Sequence, residues 1–226
     1  MRAYTSLVGH ILGSHPEIDG YYEMHRAYVL ADDLDRQLGQ YEAHDVLKPT
    51  GRLLFDKLLH NDYTLNLALP ELADATLLLA LRPPAATLPS IVALFAQKDR
   101  DDLYATPEGA TAYYVDRLAA LAGFAARHPG RFHYFDADAL LADTPRLFAA
   151  LERWLMLETP LAADYRRFSQ TGVAGAGDAS PALASGRIQR ASSPATFDPV
   201  LLTRADAAYR DCRAQLIAHA AESVLS

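Results

Sequence analysis

The chain of 226 residues carries one cysteine, Cys212. No intrachain disulfide can form, and neither a secreted disulfide framework nor a cysteine-rich zinc cluster is available. Long apolar runs are missing as well. Ala75 to Leu81, interrupted only by Thr76, and Ile91 to Ala96 fall far short of the ~20 residues that span a bilayer, and the N-terminus has no apolar signal core. The expectation is a soluble, cytoplasmic protein with no membrane partner. A basic excess is also absent: 21 Lys and Arg against 28 Asp and Glu leave a formal net charge of −7. That balance argues against a nucleic-acid partner and requires any anionic ligand to be captured by a local group of cations. No Gly-x-x-x-x-Gly-Lys-Ser/Thr phosphate loop, no calcium-loop pattern and no internal repeat occurs, so no metal is expected.

What is present is ordinary globular composition, 50% apolar and 22% charged, enough to bury a core. Against about 150 residues per domain, the length favours one domain over residues 1–226. Leu7, Val8, Ile11 and Leu12 fall on one helical face, Thr5 or Ser6 can cap that helix, and Gly13-Ser14-His15-Pro16 stops it. Ile18 to Met24 reads as extended, and Ala27 to Gln40 as a helix with Leu30, Leu34 and Leu38 four apart. Gly51 to Leu59 leans to strand. Ala75 to Leu81 reads as a strand buried on both faces of a parallel sheet, followed by a helix over Leu88 to Lys98. Thr106-Pro107-Glu108 opens a helix that Pro129-Gly130 ends, and Phe132 to Phe135 is a short strand. Helices over Pro145 to Leu157 and Pro199 to Ser226 complete an α/β layering with a parallel sheet, whose ligands sit beyond the carboxyl ends of the strands.

Two patterns can carry chemistry. Arg2-Ala3-Tyr4-Thr5-Ser6 precedes the first helix, where free amides, the positive end of the dipole, two hydroxyls and a guanidinium all favour a phosphate. Arg82 closes the strongest strand, with Pro83-Pro84 next and Ser90 eight residues on. Taken singly, the first is better served by helix caps and a frayed terminal charge, and the second equally by a solvated arginine and a helix-flanking serine.

Taken together they resemble a family. Arg2-Ala3-Tyr4-Thr5-Ser6-Leu7 with Leu12-Gly13-Ser14-His15-Pro16-Glu17-Ile18 is similar to the 5′-phosphosulfate loop and following helix of sulfotransferases that use 3′-phosphoadenosine 5′-phosphosulfate, in particular the bacterial and protein-tyrosine-like branch. Arg82 to Ser90 resembles that family's 3′-phosphate motif. Gly177-Asp178-Ala179-Ser180 with Ser185-Gly186-Arg187-Ile188 resembles the loop, here 169–194, that closes over the nucleotide. The resemblance implies a P-loop-NTPase-like parallel sheet flanked by helices. It assigns Arg2 to the bridging oxygen and 5′-phosphate, and Ala3, Tyr4, Thr5 and Ser6 to the phosphate cradle. Arg82 and Ser90 take the 3′-phosphate, and Gly186, Arg187 and Ile188 the adenosine. Glu23 falls at the catalytic glutamate and Lys57, in Phe55-Asp56-Lys57, at a second cation. The donor is 3′-phosphoadenosine 5′-phosphosulfate, and the acceptor a hydroxyl or amine reached through loops around Tyr21, Tyr28, His60 and the segment after Ser90.

Sulfuryl transfer needs in-line placement, cations on the leaving oxygens and a base for the acceptor proton, and Arg2, Lys57 and Glu23 supply these. His25 ranks second as base, while His15 reads as a turn residue before Pro16. This chain departs from the family where Tyr4 replaces a glycine and Ala3 a serine. It also begins at the loop itself, so the expectation is a truncated start lacking the first central strand. Two alternatives stay open: an inactive nucleotide-binding or interaction domain of the same fold, and a nucleotide-dependent phosphotransferase.

Overall fold

A computed structural model describes residues 2–99, 101–173, 181–189 and 196–226. In chain order the elements are α1 (Thr5–Ser14), β1 (Ile18–Asp19), α2 (Asp33–Glu42), β2 (Leu53–Leu54), β3 (Leu78–Leu81), α3 (Pro84–Lys98), α4 (Pro107–Arg127) and β4 (His133–Asp136). They continue as α5 (Ala139–Ala142), α6 (Thr144–Trp154), α7 (Pro181–Ala184), α8 (Pro199–His219) and β5 (Ser223–Val224). The chain is a mixed α/β protein with small parallel sheets flanked by helices, gathered in two compact units.

The first unit comprises residues 3–75 and the described part of 144–191. Its sheet is the parallel pair β1 and β2, with Ile18 opposite Leu53 and Asp19 opposite Leu54. α1 buries Val8, Ile11 and Leu12, each worth about 1.5–3 kcal/mol of removal from water. A Cβ on Gly13 would meet the backbone of Gly20 and the Tyr21 side chain, so a glycine is what lets α1 lie this close. Gly20 itself sits at φ +82, the left-handed region where a Cβ would also strike the Phe55 carbonyl. Beyond it Tyr21, Tyr22, Met24 and Tyr41 form a buried cluster with Leu54 and Phe168 against it. α6 closes the unit with Leu147, Phe148, Leu151 and Trp154 buried.

The second unit comprises residues 76–143 and the described part of 192–226, together with Arg2. Its sheet has the order β3-β4-β5, all parallel, with Leu78 opposite His133 and Phe135 opposite Val224. α4 starts where the sequence places it: Thr106 accepts from the Gly109 amide at 3.1 Å and Pro107 occupies the first turn. α8 is capped by Asp198, which accepts from the Val200 and Leu201 amides at 2.8 and 2.9 Å. Cys212 is buried on α8, and burial pushes its thiol up to about 12, so it acts as a packing residue.

Several local expectations change. α1 is capped by neither Thr5 nor Ser6, since both already lie in its first turn; the N-cap is Tyr4, which makes no side-chain cap bond. The extended segment contracts to Ile18–Asp19 because Gly20 turns the chain out of the sheet. α2 begins at Asp33 rather than Ala27, as the Asp33 carboxylate takes the Val29 and Leu30 amides at 2.8 Å each. The face it buries is Asp33, Gln37 and Tyr41, with Leu30 exposed. β3 is only half-buried apart from Leu81. α3 starts four residues before Leu88, with Pro84 in its first turn and Pro89 inside it. The C-terminal helix stops at His219, and Ser223–Val224 pairs with β4 as a further parallel strand.

Candidate active site

Each unit assembles one group of the expected residues. In the first, the chain enters α1 through Tyr4, whose φ of 55 and ψ of 19 place a side-chain-bearing residue in the left-handed region. This is the position where the resembled loop has glycine, and the backbone adopts a conformation that glycine reaches without strain. The first intrahelical bond runs from the Val8 amide to the Tyr4 carbonyl at 2.9 Å. The amides of Thr5, Ser6 and Leu7 therefore precede the intrahelical ladder, at the positive end of the dipole. Ala3 and Ser6 are buried.

The Ser6 hydroxyl accepts a hydrogen bond from Lys57 Nζ at 3.2 Å, and the same ammonium lies 3.6 Å from Glu23 Oε1. The Lys57 side chain is 2% exposed and that of Glu23 12%. Three residues singled out for the phosphate cradle, the second cation and the base thus meet at one ammonium. Behind them Asp56 accepts from the amides of Met24 at 3.0 Å and Lys57 at 2.6 Å through Oδ1, and from the Tyr28 hydroxyl at 2.7 Å through Oδ2. Burial pushes the Asp56 carboxyl above its ordinary value despite these donors, and burial with the nearby Asp56 charge pushes the Tyr28 phenol up.

In the second unit, Arg2 Nε donates to Ser90 Oγ at 2.8 Å, and Arg82 Nη1 donates to the Arg2 carbonyl at 3.4 Å. Arg82 directly follows β3, so it stands at the carboxyl end of a parallel sheet, where α/β proteins take their ligands. Its own carbonyl accepts from Tyr114 Oη at 2.7 Å and from Thr87 Oγ1 at 3.2 Å, and Asp138 Oδ1 lies 3.8 Å from its Nε. Arg2, expected at the 5′-phosphate, is bonded to the serine expected at the 3′-phosphate.

Comparison finds no matching family model, no matching curated protein and no matching solved structure.

The remaining residues are placed as follows. Gly186, at φ +75, accepts from the Tyr165 amide at 2.8 Å, and Arg187 pairs with Asp164 in an antiparallel bridge. Arg187 is exposed and Ile188 half-buried. Tyr165 packs edge-on against the His10 ring of α1, at 5.9 Å between centroids, so this stretch is tied to α1 through one tyrosine. Of the 169–194 loop, residues 174–180, including Gly177-Asp178-Ala179-Ser180, and residues 190–194 lie outside the described residues. His25 is exposed at φ 52, with Nδ1 3.3 Å from the Tyr63 hydroxyl. His15 is a buried turn residue whose Nε2 meets Thr159 O at 2.9 Å. Tyr21 and Tyr28 belong to the segments expected around the acceptor. They are 1% and 4% exposed, and their hydroxyls serve Asp45 and Asp56.

Sequence patterns gave no sign of three buried polar assemblies. Lys48 Nζ donates to the carbonyls of Gly13, His15 and Ile18, closing the end of α1. Glu17 accepts from Arg52 Nε at 2.6 Å and from the amides of Glu158 and Thr159. Asp136, at the end of β4, takes a bidentate pair from Arg213 at 2.8 and 2.7 Å, the Tyr134 hydroxyl at 2.6 Å and the Ser226 amide at 2.9 Å. Burial opposes its charge, but these donors together hold the carboxyl below its ordinary value. An open cavity of about 670 Å³ lies here, lined by Asp136, Tyr209, Arg213, Ile217 and Ser226 among others. Among the described residues no group of three or more His, Cys, Asp or Glu could hold a metal ion, and no helix is long and apolar enough to cross a membrane.

Proposed function

We propose that the chain is a sulfotransferase that moves the sulfuryl group of 3′-phosphoadenosine 5′-phosphosulfate to a hydroxyl or amine acceptor by in-line transfer. The observation that carries this reading is the meeting of Ser6, Lys57 and Glu23 at one nearly enclosed ammonium, beside the N-terminus of α1. An ammonium, a hydroxyl and helix-terminal amides make a donor set suited to an anionic ester, and a carboxylate beside them is suited to take a proton. The finer fold proposed is the P-loop-like sheet, of which small parallel sheets flanked by helices are the coarser form.

In the transfer, a bond forms from the acceptor oxygen or nitrogen to sulfur, and the bond from sulfur to the bridging oxygen of the 5′-phosphate breaks. Glu23 takes the acceptor proton. Lys57 faces the negative charge that grows on the leaving oxygen, an interaction stronger in the transition state than in the ground state. Thr5 and Ser6, with the first-turn amides of α1, hold the 5′-phosphate, while Ala3 and Tyr4 contribute backbone. Arg82 and Ser90 hold the 3′-phosphate, and Gly186, Arg187 and Ile188 cover the adenosine. Arg2 is assigned the bridging oxygen and the 5′-phosphate. The proposal gives no role to a metal ion.

One observation favours a second reading, an inactive nucleotide-binding domain of the same fold: the Arg2 guanidinium is already engaged by Ser90. Adenosine 3′,5′-bisphosphate separates the readings from a phosphotransferase, and turnover separates them from each other. The bisphosphate should raise the melting temperature saturably, by the equivalent of about 2.7 kcal/mol at a hundred times Kd. Release of labelled sulfate ester from the labelled donor then marks the active enzyme. No thermal shift at saturating bisphosphate, or a larger one with ATP and magnesium, would overturn the sulfotransferase reading.

A further inference from the structure

We propose that Asp56 is the positioning residue of this site, holding Glu23 and Lys57 in register through their backbones; the inference rests on the sulfotransferase reading. One oxygen, Asp56 Oδ1, accepts from both the Lys57 amide at 2.6 Å and the Met24 amide at 3.0 Å, and Met24 directly follows Glu23. The Met24 contact spans 32 positions of sequence, so a single carboxylate joins the segment bearing the base to the segment bearing the cation. The other oxygen is fixed by the Tyr28 hydroxyl at 2.7 Å. Tyr28 is itself anchored by backbone bonds on both sides, from its amide to Thr64 O and from the Asn66 amide to its carbonyl, each 2.8 Å. The carboxylate therefore has little freedom, and neither have the two amides it holds.

Charge-assisted bonds of this kind are about twice as strong as neutral ones, and a displacement of ~1 Å in a reacting group can cost about a hundredfold in rate. The Asp56 charge is also felt at the Lys57 ammonium, so Asp56→Asn, which removes the charge and keeps an acceptor oxygen, separates the backbone role from the electrostatic one.

The test uses the full chain with Asp56→Asn, which keeps one acceptor oxygen, and Asp56→Ala, which keeps none. In Asp56→Ala kcat should fall about 10- to 100-fold, with the donor KM and the Kd for adenosine 3′,5′-bisphosphate within about threefold of wild type. Amide hydrogen exchange at Met24 and Lys57 should quicken at least about tenfold, while Val8 and Ile11 of α1 keep their rates. Asp56→Asn should restore part of both losses. A folded variant with wild-type kcat, or with unchanged exchange at both amides, overturns the proposal. Should the alanine variant fail to fold, wild-type kcat and exchange in the asparagine variant overturn it equally. Absence of bisphosphate binding and turnover in the wild type would remove the sulfotransferase reading instead, and amide exchange would still decide whether Asp56 holds the two segments.

Discussion

The Lys57 ammonium stands 3.6 Å from the Glu23 carboxylate, with the two side chains 2% and 12% exposed. An ion pair so enclosed is costly to break from one side, because the remaining charge keeps its desolvation cost without its partner. Under the proposed function the pair also divides the chemistry, with the cation on the leaving side and the base on the acceptor side. Glu23→Gln should lower kcat about 10²- to 10⁴-fold and leave bisphosphate affinity within about twofold. Lys57→Met should lower kcat about 10²- to 10³-fold. The double variant should lose little more than the worse single, since the two groups act as a unit. Steady-state kinetics with labelled donor checks all three.

Tyr4 occupies the left-handed region at φ 55 with a side chain that glycine would lack. That conformation costs roughly 1–2 kcal/mol for an ordinary residue, and a β-branched side chain tolerates it worst. Tyr4→Gly should leave stability within about 1 kcal/mol of wild type, because relief of strain offsets lost packing and the freer unfolded chain. Tyr4→Val should be clearly less stable than Tyr4→Gly. Urea unfolding of the pair orders them, and equal midpoints would mean that α1 begins in some other way.

Asp136 ties β4 to α8 and to Ser226. Asp136→Asn should cost about 3 kcal/mol at neutral pH, as expected when a buried pair with Arg213 is broken. The carboxyl is held below its ordinary value of 3.8, so the unfolded chain binds the proton first as pH falls. The stability Asp136 contributes is complete above the unfolded value and is lost as pH drops through the lower folded value. The gap between wild type and variant should therefore be constant from about pH 5 upward and close below about pH 4. Calorimetry across pH 2–7 measures it.

Elements with local punctuation were legible in the sequence. Thr106-Pro107 and Pro129-Gly130 bracket α4 because a cap and a breaker act on their immediate neighbours. β4 lies within one residue of the Phe132–Phe135 expectation, and parallel strands flanked by helices are found as expected. α2 departs from the expected Ala27–Gln40 span because its inward face is polar: Asp33 is satisfied by two amides and Gln37 donates to Leu54 O at 3.5 Å, and such partners leave no hydrophobic period. β5 was read as helix because Ala220-Ala221 continues an alanine-rich run, whereas pairing with β4 decides the geometry. Among the candidate site residues, Glu23, Lys57 and Ser6 meet in one unit and Arg2, Arg82 and Ser90 in the other. Asp56, Lys48 and the Asp136–Arg213 pair went unseen, since each depends on partners about 30 or more positions away.

The most direct test of the central claim is isothermal titration of the wild-type chain and of Arg82→Gln with adenosine 3′,5′-bisphosphate and with adenosine 5′-monophosphate. Losing a charge-assisted contact to phosphate is worth about 1.5–3 kcal/mol, or about 10- to 100-fold in Kd. The wild type should bind the bisphosphate at least tenfold more tightly than the monophosphate, and Arg82→Gln should erase that preference while leaving monophosphate affinity unchanged. Equal affinity of the wild type for both ligands, or a preference that survives the loss of the Arg82 guanidinium, would contradict it.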